Sequence, residues 1–354
     1  MNLFQTTDHH LKDEEPFFQA GRALDTWLLD FFKQQTEPFI YLDSGDRYHV
    51  SKETGRVNGE VAKFFLSLAS LPNCEQIWIL QGNHDFKVDT GSALSILEEL
   101  SPKIRIVYEP ELVQFPEQKG FTLFLPHMKI KHLPYYYGRE TYGKKEFYQQ
   151  YFSNWDEVES KIEFISAHLG DETCGQLLQD ADLSWFKCMK SNGHIHKTVS
   201  KNQLESAAVT RRDEVDKKCI MRKFKTEDFS SFEEIQLPLF LNYAKIEYGA
   251  SLDDYFKNPV HIKPEVSLIV DIYGHDDEDF VKAEYTKLFE KTSSPKLYVG
   301  EVVAEERLLS DIDEESERED LDVADADLKQ LFVEFCEEKG VADSIKQSIL
   351  KRIS

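Results

Sequence analysis

Polar side chains that can bind metal ions recur along this chain, each group following a short apolar run. In order they are Asp8 and His10 in TTDHH, Asp46 and His49 in SGDRYH, Asn83, His84 and Asp85 in QGNHD, His168 in ISAHLG, and His194 and His196 in NGHIHK. Because side chains alternate along an extended segment, Asp-x-His and His-x-His each direct two side chains to the same side. The spacing therefore predicts pairs of ligands rather than isolated polar residues.

The donor atoms in these segments restrict the metal that they would hold. Mixed oxygen and imidazole sets suit Mn, Fe or Zn, whereas Ca and Mg favour all-oxygen cages. The predicted metal ligands are Asp8, His10, Asp46, Asn83, His168, His194 and His196. This is too large a set for one tetrahedral ion, but it suits two divalent ions that share a bridging carboxylate.

Each segment also has an interpretation that needs no metal. His10 or His168 alone would more often be a structural histidine with satisfied hydrogen bonds. A Gly-Asp pair at a strand end is a common turn, and GNHD could cap a helix. Five such segments in one order are better explained by one shared site.

The elements that must position these residues alternate between β-rich and helical runs. The patterns predict strands over 2–7, 38–42, 76–81, 122–125 and 163–167, and helices over 17–33, 59–69 and 93–100. This alternation is typical of an α/β layered domain, in which ligands bind where strands end. After about residue 237 a smaller unit is predicted, with strands over 239–248, 266–273 and 297–303 and a helix over 278–288.

Charge marks a further boundary near the C-terminal part of the chain. The whole chain carries 42 basic and 65 acidic residues, a net charge of −23. Residues 304–327 contain twelve acidic and two basic residues, a net charge of −10, which predicts an extended, solvated linker. Beyond it, apolar residues at helical spacing predict a partner-binding segment that uses Leu328, Leu331, Phe332 and Phe335. The alternatives are that these helices fold back on their own chain or pair between two copies.

Composition excludes several classes of protein. With 41% hydrophobic residues the chain can bury a core, so wholesale disorder is excluded. No apolar run approaches the roughly 18 residues of a membrane span, and no signal peptide is evident, so we expect a soluble cytoplasmic protein. Five dispersed cysteines without a CxxC pair predict reduced thiols. The strong acidity argues against nucleic-acid binding by this chain alone.

The order D-x-H, GD, GNHD, a later strand-end histidine and GHxH resembles the calcineurin-like metallophosphoesterase superfamily. The resemblance implies a β-sandwich flanked by helices, a two-metal centre and phosphoester hydrolysis. It implies that Asp8, His10 and His196 hold one ion, that Asn83, His168 and His194 hold the other, and that Asp46 bridges them. His84 matches the histidine that acts as an acid or stabilises the leaving oxygen. When bound, two such ions would lower the pKa of a water molecule and stabilise the charge of the transition state.

Finer features resemble one branch of that superfamily, the SbcD-type DNA-repair nucleases, and most closely the phage recombination endonuclease subunits. GDRYH resembles the branch's GD-x-x-H, which implies that His49 helps to position the DNA backbone. Residues 238–303 resemble a capping domain at the DNA entrance, after a nuclease domain over 1–237. Residues 328–354 resemble the segment that binds the SbcC ATPase. The branch implies Mn as the metal, a homodimer within a heterotetramer, and the host cytoplasm if the protein is phage-encoded. The chain departs from its relatives after His196, which leaves the substrate contacts open.

Two basic segments run against the average charge and are candidate DNA contacts. Residues 129–145 and 211–225 each carry a net charge of +4. We single out Lys144 and Lys145 in the first segment and Arg211 and Arg212 in the second. Three tyrosines in the first segment, Tyr135 to Tyr137, could stack on bases. The alternative is that both segments are solvated loops and the tyrosines are packed.

Three functions compete on these observations. The leading hypothesis is a Mn-dependent DNA exonuclease or endonuclease, the catalytic subunit of an SbcCD-like complex in repair and recombination. The second is a metallophosphatase or cyclic-nucleotide phosphodiesterase that acts on small substrates, for which the capping unit and the tethered helices have no evident use. The third is a non-catalytic scaffold, which the complete ligand set and His84 argue against.

Overall fold

Two facing β-sheets with helices on their outer faces form the main body of the protein. A computed structural model describes residues 1–50, 54–87, 91–128, 148–149, 151–170, 183, 186–194, 203–204, 219–249, 267–275, 277–290 and 296–303. Mixed sheets and flanking helices place the chain in the α/β class, as the sequence predicts.

The described α-helices are α1 (Phe17–Lys33), α2 (Gly55–Ala69), α3 (Ser95–Leu100), α4 (Trp155–Val158) and α5 (Glu278–Phe289). Four of these five described α-helices correspond to predicted amphipathic patterns, and the short helix α4 was not predicted. Helix α1 has the predicted bounds and buries a stripe that includes Leu28 and Phe32. Helix α2 begins four residues earlier than predicted because the side chain of Thr54 accepts a hydrogen bond from the backbone N–H of Val57.

The strands are given in chain order. They are β1 (Asn2–Thr6), β2 (Phe39–Asp43), β3 (Cys74–Leu80), β4 (Phe86–Lys87), β5 (Gly91–Ser92), β6 (Ile104–Val107), β7 (Glu111–Val113), β8 (Phe121–Leu125), β9 (Ile162–Ala167), β10 (Met189–Asn192), β11 (Gln203–Leu204), β12 (Ile220–Lys225), β13 (Asp228–Gln236), β14 (Leu241–Glu247), β15 (Ser267–Tyr273) and β16 (Lys296–Val303). Each predicted strand corresponds to one of these to within about two residues at either end.

Strand direction brings the ends of many strands to one edge. The first sheet has the order β13-β12-β1-β2-β3-β6, in which β1, β2, β3 and β6 are parallel and the β12–β13 hairpin joins β1 antiparallel. The second sheet has the order β11-β10-β9-β8-β7, in which only β7 is antiparallel. Parallel strands place their carboxyl ends together, where α/β proteins bind ligands.

The core between the two sheets is rich in aromatic rings. Phe164 on β9 stacks on Phe229 on β13, with ring centroids 4.8 Å apart and planes 7° from parallel. Trp78 on β3 meets Phe124 on β8 at a centroid distance of 5.3 Å. Leu42 and other aliphatic side chains of the first sheet complete the layer. Burial of this apolar surface, at about 25 cal/mol per Å², holds the sheets face to face.

Helices cover the outer faces of both sheets. Leu28 and Phe32 of α1 pack with Phe64 and Phe65 of α2 over the outer side chains of the first sheet. On the second sheet, Trp155 of α4 lies in a cluster with the outer side chains of β8 and β9. The order of layers is therefore helix, sheet, sheet, helix.

A smaller unit lies in the segment that the sequence assigns to a capping domain. Strands β14, β15 and β16 form a parallel sheet, and α5 packs on it through Val281, Tyr285 and Phe289. Its capping role stays a prediction. The linker over 304–327 and the helical segment over 328–354, with Leu328, Leu331, Phe332 and Phe335, lie outside the described residues.

The β12–β13 hairpin was not predicted, and it contains part of the basic segment 211–225. Arg222 is buried and lies 3.6 Å from Glu234, and Lys223 lies 3.4 Å from Glu233. Lys225 pairs with Glu37 at 3.0 Å. These three cations are therefore partly neutralised within the sheet.

The remaining candidate DNA contacts, Arg211, Arg212, Lys144 and Lys145, lie outside the part of the chain that is described.

Of the helices that are described, none has the length and apolar content needed to cross a lipid bilayer.

We predict that Phe164→Ala destabilises the protein by about 3–5 kcal/mol, because it opens a cavity between the sheets where Phe164 meets Phe229. Ile96→Ala, at an exposed position of α3, is the control and should change the free energy of unfolding by less than about 0.5 kcal/mol. Urea unfolding measures both. Equal effects from the two variants would contradict the position of Phe164 in the inter-sheet core.

Candidate metal centre

The predicted ligands converge at one edge of the two sheets. Asp8 follows β1, Asp46 follows β2 and Asn83 follows β3, all in the first sheet. His168 follows β9 and His194 follows β10 in the second sheet. Each residue lies within three positions of the end of its strand. Because these strands are parallel within each sheet, short loops at their ends are enough to bring the side chains together.

Two groups of side chains lie close enough to hold a metal ion. One group is His10, Asp46 and His84, and the other is Asp46, His168 and His194. Within each group the possible ligand atoms all lie within 4.8 Å of one another. Asp46 belongs to both groups, which is the position that a bridging carboxylate would occupy.

Contacts around Asp46 join the two sheets. Its Oδ2 atom lies 3.2 Å from Nε2 of His168 and 3.8 Å from Nε2 of His10. The Oδ1 atom of Asn83 lies 3.2 Å from the same His168 nitrogen. Asp8 accepts a hydrogen bond from the backbone N–H of His194 at 3.1 Å. Side chains that are far apart in sequence thus share one small polar volume.

The orientation of His168 suits a metal ligand. Its Nδ1 atom lies 2.8 Å from the backbone carbonyl oxygen of Ser44, which can only accept a hydrogen bond, so Nδ1 carries a proton. In the neutral ring the lone pair is therefore on Nε2, which points at Asp46. A carbonyl that fixes the histidine tautomer in this way is a common feature of metal sites.

Three histidine rings form a cluster on the His10 side of the centre. The rings of His49 and His84 are stacked, 5.7 Å apart and 11° from parallel. His10 meets His84 edge to face at 5.1 Å. The backbone N–H of His84 donates to Oδ1 of Asp46 at 3.0 Å. His84 is therefore near enough to hold an ion and also near enough to contact a substrate.

Unusual backbone conformations aim the ligands at the centre. Asp8, His10, Asp46 and His194 have φ values of 54°, 45°, 56° and 61°, in the left-handed region that non-glycine residues rarely adopt. Such residues typically cost about 1 kcal/mol or more each and persist only where their surroundings hold them. Strain is thus concentrated on the predicted ligands.

Asp85 holds the loops that carry Asp46 and His84. It is fully buried and accepts hydrogen bonds from the backbone N–H groups of Asp46, Tyr48 and Gly82 at 2.8–3.0 Å. Asp85 lies in the QGNHD motif, but its role was not predicted from the sequence. Burial and the neighbouring charge of Asp46 raise the pKa of Asp85 to about 7.

Glycines allow the loops to approach each other closely. A Cβ atom on Gly82 would lie 2.1 Å from Oδ1 and 2.2 Å from the backbone nitrogen of Asp46. A Cβ atom on Gly193 would lie 2.4 Å from Oγ1 of Thr7 and 2.7 Å from Nδ1 of His168. Any larger residue at either position would push a ligand out of place.

Electrostatics in the centre favour opposite charges on Asp46 and His168. Although burial opposes it, the positive charge of His168 and the hydrogen bond from its side chain hold the pKa of Asp46 well below its usual range. Burial likewise opposes the charge on His168, but the Asp46 carboxylate raises the pKa of His168 to about 9. Burial, together with His168, lowers the pKa of His194 to about 4. The shifts of Asp46 and His168 share one cause, their mutual attraction, and binding of an ion by His168 would require loss of the proton on its Nε2 atom.

A buried set of polar residues, not predicted from the sequence, lies behind the ligands. His9, Asp25 and Arg47 are each almost fully buried and contact one another. A signal was present in α1, because Asp25 lies seven residues after Phe18 and three before Leu28, on the apolar face of the helix. A charged residue at such a position is rarely buried unless it is paired.

The donor set fits divalent metal ions. Imidazole and carboxylate donors at these separations are ligands for Mn, Fe or Zn, and the shared Asp46 allows two ions to lie side by side. The residues predicted to meet here are Asp8, His10, His49, Asp46, Asn83, His84, His168 and His194, and the structure brings all of them together. His196 lies outside the described residues, so its place beside Asp8 and His10 stays a prediction.

Comparisons with known proteins give matches among solved structures. No protein-family model and no curated protein matches the chain. Among solved structures it is similar to a 5'-nucleotidase precursor from Thermus thermophilus, with 14% sequence identity and a TM-score of 0.38. The match covers 67% of this chain and 54% of that chain, so this chain spans about half of the nucleotidase. At this level the likeness says nothing about the substrate.

We predict that Asp46→Ala removes more bound Mn²⁺ than any other single ligand substitution, because Asp46 is shared by both ligand groups. Asp30→Ala, which removes an exposed carboxylate from α1, is the control. Elemental analysis of the reconstituted proteins measures the metal content. Retention of the parent metal content by Asp46→Ala would rule out a bridging role.

We predict that Gly82→Ala weakens Mn²⁺ binding by about tenfold or more, because its methyl group would overlap the backbone of Asp46. It should also destabilise the protein by about 1–3 kcal/mol. Gly59→Ala is the matched control, since nothing lies within 4 Å of the added methyl group. Because Gly59 lies in helix α2, the Gly59→Ala variant should keep the parent metal affinity, and its free energy of unfolding should rise by up to about 1 kcal/mol. Metal titration and urea unfolding test the pair, and equal metal affinities would contradict the close approach at Gly82.

Proposed function

We propose that this protein is a metal-dependent phosphoesterase whose substrates are phosphodiesters of DNA. The observation that carries the proposal is the membership of Asp46 in both ligand groups, next to a cluster of histidines at a common sheet edge. Two divalent ions held in this way supply Lewis-acid stabilisation of phosphate oxygens and lower the pKa of water.

Each group of residues has a distinct part in this proposal. His10 with Asp8 and His196 would hold one ion, and Asn83, His168 and His194 would hold the other. Asp46 lies between the groups, with Oδ2 near both His10 and His168. Mn is the metal that the mixed donors and the resemblance together favour.

His84 is proposed to act on the substrate rather than only on the metal. Its backbone N–H is held by Asp46, and its ring stacks on His49, so the imidazole is oriented at the edge of the centre. A preorganised imidazole can donate a proton or a hydrogen bond to the oxygen that leaves phosphorus. His49 shares this edge and is proposed to contact the phosphate backbone of the DNA.

DNA as the substrate and an SbcC-like ATPase as the partner are supported by the sequence features described above. The small α/β unit at 241–303 and the apolar stripe that follows the acidic linker are additions that a hydrolase of small substrates does not need. An acidic catalytic chain would also gain from a partner that supplies a basic surface for DNA.

The proposal is tested by reconstituting the full chain with Mn²⁺ and supplying linear duplex DNA, single-stranded DNA, a generic phosphodiester and a generic phosphomonoester in parallel. We expect cleavage of DNA and of the diester. Hydrolysis of the monoester alone would favour the phosphatase alternative. Bound metal without any hydrolysis would favour the scaffold alternative.

His84→Ser is the variant that tests the mechanism in the same assays. It should keep its metals and lose about 10²–10³-fold in rate, since it removes a contact made in the transition state. His275→Ser, on the small α/β unit, is the control and should retain the parent rate. Loss of metal by His84→Ser would instead identify His84 as a metal ligand, and a rate within a few-fold of the parent would exclude its catalytic role.

A further inference from the structure

A buried polar cluster lies directly behind the predicted ligands, against helices α1 and α2. It consists of His9, Asp25 and Arg47, which we call the Arg47 cluster. Nη2 of Arg47 donates to Oδ2 of Asp25 at 2.5 Å, and Nη1 of Arg47 donates to Nδ1 of His9. The guanidinium also lies over the ring of Phe64, 4.6 Å from its centroid. One arginine therefore contacts the loop after β1, helix α1 and helix α2.

The direction of these hydrogen bonds fixes the state of His9. An arginine side chain has only donors, so Nδ1 of His9 must accept. The imidazole is then neutral with its proton on Nε2, which lies 3.2 Å from Oγ1 of Thr6 and 3.4 Å from the hydroxyl of Tyr41. His9 is thus held at both nitrogens, by Arg47 on one side and by β1 and β2 on the other.

The two loops that this cluster joins are the loops that carry the predicted ligands. Their backbones are paired by hydrogen bonds from the N–H of Asp8 to the carbonyl of Gly45 at 2.9 Å and from the N–H of His10 to the carbonyl of Asp46 at 3.0 Å. His9 lies between Asp8 and His10 in the sequence, and Arg47 directly follows Asp46. The contact between His9 and Arg47 therefore connects side chains at the centre of each loop.

The cluster has a geometric task because these loops are strained. Asp8, His10 and Asp46 all have φ values in the left-handed region, a conformation that persists only where the surrounding structure holds it. A buried Arg–Asp pair contributes little net stability compared with apolar residues of similar size. Its planar, two-pronged guanidinium can, however, hold two partners at fixed directions.

We propose that His9, Arg47 and Asp25 are positioning residues that set the separation of Asp8 and His10 from Asp46 by tying both ligand loops to helix α1. The proposal rests on the proposed function, because the ligand roles of those residues do. With this positioning role, the metal affinity depends on a hydrogen-bond acceptor at the place of His9 Nδ1. A polar or bulky residue without such an acceptor is not sufficient at position 9.

The test compares His9→Asn with His9→Gln in the full chain. The amide of asparagine can place its oxygen near the Nδ1 position, whereas the longer glutamine places its amide near the Nε2 position. Mn²⁺ titration by calorimetry and the visible absorption spectrum of the Co²⁺-loaded protein are the two measurements. We expect His9→Asn to bind Mn²⁺ within about threefold of the parent and to keep the parent Co²⁺ spectrum. His9→Gln should bind about 10–100-fold more weakly and alter the spectrum.

Arg47→Lys is the second variant. It keeps a cation beside Asp25, but a single ammonium group cannot hold Asp25 and His9 in the fixed directions of the guanidinium. We expect an affinity loss of about 10–100-fold, with a melting temperature close to that of the parent. If Arg47→Lys does not fold, the comparison at His9 decides the question by itself.

Equal Mn²⁺ affinities and equal Co²⁺ spectra for His9→Asn and His9→Gln would overturn the proposal, and parent behaviour of a folded Arg47→Lys would do the same. These measurements do not involve hydrolysis. A parent protein that binds Mn²⁺ but cleaves no phosphoester would therefore contradict the proposed function, while the metal titrations would still decide the role of the Arg47 cluster.

Discussion

Asp46 and His168 approach to 3.2 Å at the carboxyl edge of the fold, and this contact joins the two sheets. Asp46 belongs to the first sheet and His168 to the second, so neither sheet can complete the centre alone. The alignment of the sheets must therefore be accurate to a fraction of an ångström at this edge. Much of the remaining structure can be understood as a means of holding that alignment.

Two kinds of contact between the sheets keep them aligned. Aromatic contacts such as that of Phe164 with Phe229 set the spacing and contribute most of the stabilisation. Closer to the centre, hydroxyl and amide groups replace the aromatic rings. The hydroxyl of Ser44 bonds to the hydroxyl of Ser166 in the other sheet at 2.8 Å, and the side-chain amide of Gln5 donates to Ser44 at 2.8 Å. Hydrogen bonds are directional where apolar packing is not, so this polar layer fixes the relative position of the sheets next to His168.

The site concentrates features that destabilise a fold when they occur alone. Several predicted ligands have left-handed backbones, two glycines allow near-contact between loops, and Asp85 and Arg47 are buried polar groups. Each feature is compensated by named partners, such as the three backbone N–H groups that donate to Asp85. These partners hold the side chains in fixed directions, which is the condition for orienting reacting groups.

Elements with strong apolar periodicity were predictable from local sequence. Helix α1 and the parallel strands β1, β2 and β9 lie close to where the pattern places them, because burial on one or both sides imposes that pattern. Strand β10 was missed because its residues Lys190, Ser191 and Asn192 are polar yet buried. Asn192, for example, accepts from and donates to the backbone of Leu169, and only the folded neighbour supplies that partner.

Residue type and spacing, which are local properties, were enough to identify the side chains that could bind metal and to place most of them after strand ends. The alternation of helical and strand patterns also indicated a layered α/β fold. The folded chain was needed to show that Asp46 is shared by both ligand groups, that His84 lies within reach of His10, and that Asp25 and Arg47 meet behind the centre. Those relations join residues that are distant in the chain, so they depend on how the two sheets and their helices pack, and no local pattern encodes that packing.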